Sequence, residues 1–294
     1  MQVNLPNAHN RQQAIGSLEA VPQSIRALLN ANGFDPINVP GPQDWLANHP
    51  EPGQTFQQFL DSHPNRPEQI RRTIYLQPLE RFSAPGPSLR DLKKWTEAFF
   101  AMPVHVREEI DYRTAGITSR INSSSGKRQL LTADILHLLS TQLPGDAYCL
   151  LGITMQDLYP DPSWNFVFGE ASLRDRVGVY SFARYDPLFY GEDSSDRGQL
   201  ILRRSCKVLA HETGHMFGIA HCIYFRCIMN GSNHLAESDA RPPHLCPVDL
   251  RKLYWSISFD PISRYAHLRE FCREVGFNDE AQWIDTQLTR VPQS

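Results

Sequence analysis

The stretch with the clearest chemistry is an eleven-residue run in which three histidines and one glutamate recur at fixed spacing. Residues 211–221 read HETGHMFGIAH. His211 and His215 are four positions apart, so on a helix they lie on the same face. Two imidazoles placed this way can share one Zn²⁺, because zinc favours nitrogen ligands in a tetrahedral shell. The run therefore predicts a metal site.

The rest of this run indicates what the metal would do. Gly218 can end the helix, because glycine accepts the left-handed backbone that follows a C-cap, and His221 can then return to the metal as a third ligand. Three protein ligands leave a fourth position for water, as in catalytic zinc sites. Glu212 can take a proton from such a water. We therefore expect a catalytic zinc with Glu212 as general base.

A methionine follows the histidine run at a position that suits a turn beneath the metal. Met229 comes eight residues after His221, and the next two residues are Asn-Gly, a strong turn dipeptide. We expect Met229 to have this structural role, although a methionine near a turn more often belongs to the core. A rival interpretation is a purely structural zinc, for which His234 would be the fourth ligand.

Three cysteines lie close to the histidine run. Cys222 directly follows His221, Cys227 completes a C-x₄-C pair, and Cys246 follows after eighteen residues. Thiolates gathered near one loop are the usual ligands of a structural zinc site. They predict a second zinc.

Composition and charge exclude several classes of protein. The 294 residues are 41% hydrophobic with a net charge of −3, which argues against a surface for nucleic acid or anionic membranes. No run approaches the ~20 apolar residues of a membrane span, and the N-terminus lacks the pattern of a signal peptide. We expect an intracellular, cytoplasmic monomer whose six cysteines are reduced or bind metal.

Alternation of strands and helices before the histidine run predicts a mixed α+β fold, with helices packed on a sheet. The segment 165–169 is bounded by proline and glycine and has polar flanks, so we assign it as an edge strand. Residues 111–129 are polar and are assigned as a loop. The helix that carries the histidines is predicted over 199–217. The predicted strands are 73–79, 104–110, 147–154, 165–169 and 177–183.

These elements suggest three regions. Residues 1–70 form a helical, proline-rich extension with a packing role and no visible catalytic residue. Residues 71–221 form the catalytic subdomain. Residues 222–294 form a C-terminal subdomain with the methionine turn, the cysteines and three helices.

The chain resembles the archaemetzincins, zinc metalloproteases of the metzincin clan. The resemblance rests on HETGHMFGIAHC, on CIM and on NGSNHLAESDARPPHLCP. It extends upstream through GITMQDLYPDPSWNFVFGEASL and VGVYSFARY, and into PQDWLANHPEPGQTFQQF. Roughly residues 35–260 are covered.

This resemblance implies a metzincin-like fold: a twisted, mostly parallel sheet with an antiparallel edge strand, an active-site helix and a helical C-terminal subdomain. It also implies that Glu212 is the general base and that Met229 is the residue of the methionine turn. The implied ligands of the catalytic zinc are His211, His215 and His221.

The family also carries a second zinc on four cysteines, the last two spaced as C-x-x-C. Cys222, Cys227 and Cys246 match that pattern, but Asp249 stands where the family has its fourth cysteine. An aspartate oxygen is a legitimate zinc ligand, although a Cys₃Asp site should hold zinc less tightly than four thiolates. The alternatives are His244, Cys272, a water or no second metal.

The predicted reaction is hydrolysis of a peptide bond in a peptide or protein substrate, which would lie extended along the edge strand. No neutral donor for the tetrahedral oxyanion is evident, and a tyrosine placed like Tyr224 more often serves packing. The alternative function is a zinc-binding or interaction protein that keeps the site with little or no turnover.

Overall fold

The fold is ordered around an eight-residue strand, Ala147–Thr154, in a computed structural model that describes residues 4–292. Every residue of this strand is buried. A continuous apolar run without alternation is what a strand covered on both faces requires. The prediction of a central strand at 147–154 is confirmed.

The described strands and helices, numbered in chain order, have the following bounds. The strands are β1 Thr73–Pro78, β2 Val104–Val106, β3 Ser119–Ile121, β4 Arg128–Leu131, β5 Ala147–Thr154, β6 Asp157–Tyr159, β7 Gly169–Ser172 and β8 Val177–Ser181. The helices are α1 Ala8–Ile15, α2 Gln23–Arg26, α3 Trp45–Asn48, α4 Phe56–Asp61, α5 Leu89–Phe100, α6 Thr132–Thr141, α7 Arg197–Met216, α8 Leu235–Ala240, α9 Pro247–Ile257, α10 Pro261–Glu274 and α11 Asn278–Leu288.

The main sheet is mixed and mostly parallel. Its strand order is β2-β1-β5-β8-β7. The first four strands run parallel, and β7 pairs with β8 in the antiparallel sense. The expected fold class, with one antiparallel edge strand, is confirmed.

The position of that edge strand differs from the prediction. Residues 165–168 are not a strand, and β7 begins at Gly169. Phe166 and Phe168 are held instead by rings and charges, since Arg184 lies over the Phe166 ring and Phe168 stacks on Tyr185. The sequence of β7, GEAS, has no hydrophobic alternation that could have revealed a strand.

Two further differences concern short strands. The predicted strand at 104–110 stops after three residues, as β2. The polar region 111–129 holds β3 and the start of β4, which form a separate three-stranded sheet in the order β3-β4-β6. β3 is largely exposed, so it carries no buried face that would produce an apolar pattern.

The chain divides into two compact units. Among the described residues, the first unit holds those up to Arg66, Ala98–Phe100 and those from Thr213 onward. The second unit holds Pro67–Glu97 and Ala101–Glu212, and it includes the main sheet.

Within the first unit, N-terminal and C-terminal segments pack together. The Arg251 guanidinium donates to the carbonyl oxygens of Ile15 and Ser17, and the same guanidinium lies over the Phe56 ring. α4 and α1 both lie against α9. In the described part of the chain, no helix has the length and apolar character needed to cross a membrane.

Candidate functional site

The three histidines of the motif come together. His211 and His215 lie on α7, and His221 lies in the turn that follows it. Ring nitrogens of the three histidines lie within 4.8 Å of one another. Two nitrogens bound to one zinc lie roughly 3.4 Å apart, so small side-chain rotations would let all three bind one ion. The donor set therefore fits a zinc ion.

The end of α7 explains how His221 returns to this cluster. Gly218 has φ +77°, and its N–H donates to the His215 carbonyl at 2.8 Å. The Ile219 N–H donates to the Gly214 carbonyl at 3.3 Å. These two bonds form a Schellman motif, which ends a helix and reverses the chain. Glycine is needed at the left-handed position.

Hydrogen bonds to the opposite ring nitrogens set the orientation of two imidazoles. His215 Nδ1 lies 2.7 Å from the Ile219 carbonyl oxygen. His221 Nδ1 lies 2.8 Å from Glu51 Oε1. A carbonyl or carboxylate only accepts, so Nδ1 carries the proton in both rings and Nε2 keeps its lone pair. Nε2 is therefore the atom that could bind a metal.

The electrostatics of the site favour neutral imidazole. Burial, and then the neighbouring His215, lower the pKa of His221, while Glu51 opposes this. Neutral imidazole is the form that binds a metal. Burial, and then the charge of Glu212, raise the pKa of Tyr180 well above its usual value, so Tyr180 stays protonated.

Met229 lies against α7 between the two helical histidines. A Cβ atom at Gly214 would lie 2.6 Å from Met229 Sδ. The Met229 carbonyl accepts from the Cys222 N–H at 2.8 Å, and the methionine is fully buried. The structure thus places Met229 beneath the helix, with glycine at 214 making room for its sulfur.

The three cysteines of the second cluster also converge, and Asp249 joins them. One ligand atom from each of these residues lies within 4.8 Å of the others, and all four are buried. The sulfur atoms of Cys222 and Cys246 are 3.6 Å apart. Two thiolates on one tetrahedral zinc would be about 3.8 Å apart. The geometry therefore fits zinc.

Asp249 presents one oxygen to the cysteines and the other to a lysine. Its Oδ2 lies 3.3 Å from Cys227 Sγ and 3.5 Å from Cys246 Sγ. Its Oδ1 accepts from Lys252 Nζ at 2.8 Å. Burial raises the pKa of Asp249 to about 6, although the Lys252 ammonium acts in the opposite direction. A positive metal at Oδ2 would favour the ionised carboxylate further.

Two of the alternative ligands for this site do not belong to the cluster. His244 Nδ1 lies 3.0 Å from both oxygens of Glu280, and its ring stacks on Trp283. Cys272 is buried but does not belong to any group of potential metal ligands among the described residues. Asp249 is thus the protein group that the structure brings to the three cysteines.

His234, the expected fourth ligand of the rival structural site, lies in a different group of potential metal ligands from His211, His215 and His221. Its Nε2 lies 3.0 Å from Asp44 Oδ1, and its Nδ1 accepts from the Glu237 N–H at 3.2 Å. Both ring nitrogens are thus used in local hydrogen bonds. Tyr224, by contrast, is buried, with 6% of its surface exposed.

Sequence reasoning missed the residues of the N-terminal region that contact the histidine turn. Glu51 meets His221, and Gln54 bonds to the backbone of Gly218 and Ala220. Trp45 lies edge-on to the His221 ring. Glu51 and Gln54 are separated in sequence by at least 164 positions from the residues that they contact, so motif spacing carried no signal of their proximity.

Comparison with known proteins supplies the family. The sequence profile of Peptidase family M54 matches residues 141–254. Archaemetzincin-2 of Pongo abelii is 37% identical over 288 residues, which cover 88% of this chain and 77% of that protein. Archaemetzincin-2 of Homo sapiens is 36% identical with the same coverage.

A solved structure is also similar. It is that of a zinc-dependent peptidase from Methanocorpusculum labreanum, 25% identical, covering 61% of this chain and 99% of that one with a TM-score of 0.49. The extended match to archaemetzincin-2 includes the histidine motif and most of the chain. The chain therefore belongs to the archaemetzincin family of zinc metallopeptidases.

Proposed function

We propose that this chain hydrolyses peptide bonds with one catalytic zinc held by His211, His215 and His221. The observation that carries the proposal is the convergence of three ring nitrogens within 4.8 Å, with hydrogen bonds at Nδ1 that leave Nε2 of two rings available to a metal. Three protein ligands leave room for water or substrate, as catalytic rather than structural sites do.

Glu212 acts as the general base in this proposal. A zinc ion held by the three histidines would lower the pKa of a coordinated water to about 7 and polarise the carbonyl of the substrate. Glu212 follows His211 on α7 and is partly exposed, so its carboxylate can take the proton of the attacking water. The same carboxyl group then delivers that proton to the leaving amine.

The substrate would bind as an extended peptide along β7. This strand lies at the edge of the main sheet and pairs with β8 on one side. An edge strand offers N–H and C=O groups to which a peptide can add as a further strand. The exposure of Glu170 and Ala171 fits such an open edge.

A second zinc on Cys222, Cys227, Cys246 and Asp249 would be structural, because four protein ligands close the shell. The cluster lies at the start of α9, since Cys246 is its N-cap residue and Asp249 is in its first turn. A metal there would fasten the loop after His221 to α9.

The proposal also includes a monomeric state and the division of the chain into the regions 1–70, 71–221 and 222–294. Sedimentation velocity checks whether the protein is a monomer.

The decisive experiment compares the wild type with Glu212→Ala on a peptide library after loading with zinc. We expect Glu212→Ala to lose at least about 100-fold in rate, because general base catalysis contributes roughly that much, while it keeps its metal. Glu192→Ala, an exposed loop glutamate, is the matched control and should retain wild-type cleavage.

The alternative function, a zinc-binding protein without turnover, predicts a different result. In that case wild type and Glu212→Ala would both hold metal at the three histidines and both fail to cleave any peptide.

A further inference from the structure

A short N-terminal segment, residues 45–54, reaches the turn that carries the third histidine. Gln54 spans the backbone of that turn with one amide group. Its Nε2 donates to the Gly218 carbonyl at 3.1 Å, and its Oε1 accepts from the Ala220 N–H at 3.1 Å. A single side chain therefore holds both ends of the three residues that precede His221.

Glu51 of the same segment bonds to the imidazole itself. Its Oε1 lies 2.8 Å from His221 Nδ1, with side-chain exposures of 23% for Glu51 and 20% for His221. The other oxygen, Oε2, is buried and has no hydrogen-bond partner among the described residues. The ring of Trp45 closes one side of the imidazole, with centroids 5.1 Å apart in an edge-on arrangement.

Independent contacts fix this segment in place. The Trp45 N–H donates to both carboxylate oxygens of Glu237, at 2.9 and 3.1 Å. Gly53, at φ +70°, packs so closely that a Cβ atom there would lie 2.6 Å from Ile223 Cγ1. Directly after the segment, Thr55 caps α4 through a capping box. Glu51 is thus held on a built support.

We propose that Glu51 is a positioning residue for the catalytic metal, and that it acts by orienting His221. A carboxylate that accepts the Nδ1 proton fixes the ring and its tautomer, and it raises the basicity of Nε2. Gln54 supports it by fixing the backbone on which His221 is mounted. The inference rests on the proposed function, since it requires zinc on the three histidines.

The expected magnitude follows from the effect of such partners on other metal sites. Loss of a carboxylate or carbonyl behind a metal-binding histidine typically costs 10–100-fold in metal affinity. Glu51→Ala removes both charge and hydrogen bond. Glu51→Gln keeps an oxygen that can accept from Nδ1 but removes the charge, so we expect an intermediate loss.

The test measures the zinc Kd of the histidine site by chelator competition in the full chain, for wild type, Glu51→Ala, Glu51→Gln and Gln54→Ala. Glu19→Gln, an exposed glutamate of the same N-terminal region, is the matched control. Cobalt substitution reports the two sites separately, because the histidine site has no thiolate ligand and so gives no sulfur-to-metal charge-transfer band.

The proposal predicts that Kd at the histidine site rises about 10–100-fold in Glu51→Ala and less in Glu51→Gln. The charge-transfer band of cobalt at the cysteine site should be the same as in wild type. The metal-free Glu51→Gln variant should also melt at the same temperature as the metal-free wild type. The proposal would be overturned if both Glu51 variants bound zinc at the histidine site as tightly as the wild type and the Glu19→Gln control. It would also be overturned if both metal-free Glu51 variants were unfolded and this explained their loss of zinc affinity.

The two levels of failure are separable. If the triple replacement of His211, His215 and His221 by alanine leaves the metal content of the protein unchanged, the proposed function itself fails. If wild type binds metal through these histidines and the Glu51 variants bind it equally well, only the role of Glu51 fails.

Discussion

Lys252 and Asp249 form an ion pair whose side chains are 1% and 0% exposed. Such a pair is costly to break from one side, because the remaining charge stays buried and unpaired, at roughly 3–5 kcal/mol. Lys252 also offsets one negative charge in a cluster that can hold three thiolates and a carboxylate. The lysine is thus part of what makes aspartate acceptable at this position.

We predict that Lys252→Met lowers the free energy of unfolding of the metal-free protein by about 3 kcal/mol, because it leaves the Asp249 carboxylate buried and unpaired. In the Asp249→Asn variant the same change should cost much less, because no buried carboxylate is left. Urea unfolding of the wild type, both single variants and the double variant checks the coupling. Additive effects of the two changes would contradict a direct pairing.

Gly218 and Gly191 provide a matched pair of left-handed glycines. Their φ angles are +77° and +78°. A Cβ atom at Gly218 would lie 2.9 Å from Pro64 Cβ, whereas none of the described atoms lies within 4 Å of a Cβ at Gly191. Alanine would therefore strain the backbone to a similar extent at both positions, but it would clash with a neighbouring residue only at position 218.

We predict that Gly191→Ala lowers the free energy of unfolding by about 1–2 kcal/mol from backbone strain alone, and that Gly218→Ala lowers it further. Gly218→Ala should also weaken zinc binding, because the turn that mounts His221 must shift. Urea denaturation and zinc titration of both variants check this. Equal effects of the two changes would show that Pro64 exerts no steric constraint.

At the scale of elements, the first residue of α7, Arg197, is anchored by an ion pair to the loop that precedes the helix. Arg197 donates from Nε to Asp186 Oδ1 at 2.7 Å and from Nη2 to Oδ2 at 2.5 Å. The hydrogen bonds from Arg197 hold the pKa of Asp186 below its usual value, although burial acts to raise that pKa. The pair joins the loop before α7 to the helix that carries His211 and Glu212.

We predict that Asp186→Asn lowers the free energy of unfolding by about 1 kcal/mol near pH 7, the scale of a well-oriented but partly exposed pair. Because the folded pKa lies below the unfolded value, this stabilisation is present above about pH 4 and is lost as pH falls through the folded pKa. Urea unfolding at pH 7 and pH 3 checks the difference, with Glu192→Gln, a change at an exposed residue, as control.

Among the elements, those with strong periodic or continuous apolar patterns were predictable. The helix expected over 199–217 is α7, Arg197–Met216, and the strand expected at 147–154 has those bounds. β7 and β3 were not found because neither strand has a buried residue that would produce an apolar pattern, and their pairing depends on partners elsewhere in the chain.

At the scale of the whole molecule, all four residues of the cysteine cluster lie in the unit that holds Thr213 onward, whereas the main sheet lies in the other unit. A metal that binds only the folded state stabilises the part that carries its ligands. The two units should therefore respond differently to chelation.

We predict that removal of metal by a chelator increases hydrogen exchange in peptides from α9 and from the loop 222–246, and leaves exchange in β1, β5 and β8 unchanged. Hydrogen-exchange mass spectrometry with and without chelator checks this. Faster exchange in the main sheet would show that its stability also depends on the metal.

The sequence by itself predicted that the three histidines would cluster, because the pattern is local: a four-residue spacing on one helix, a glycine that reverses the chain and a third histidine within reach of the first two. Only the tertiary structure shows that Glu51 and Gln54 contact the turn that carries His221. It also shows that Asp249, paired with Lys252, lies with the three cysteines, whereas His244 and Cys272 do not belong to that cluster. These contacts join residues far apart in the chain, and no local periodicity records which distant segments will pack together.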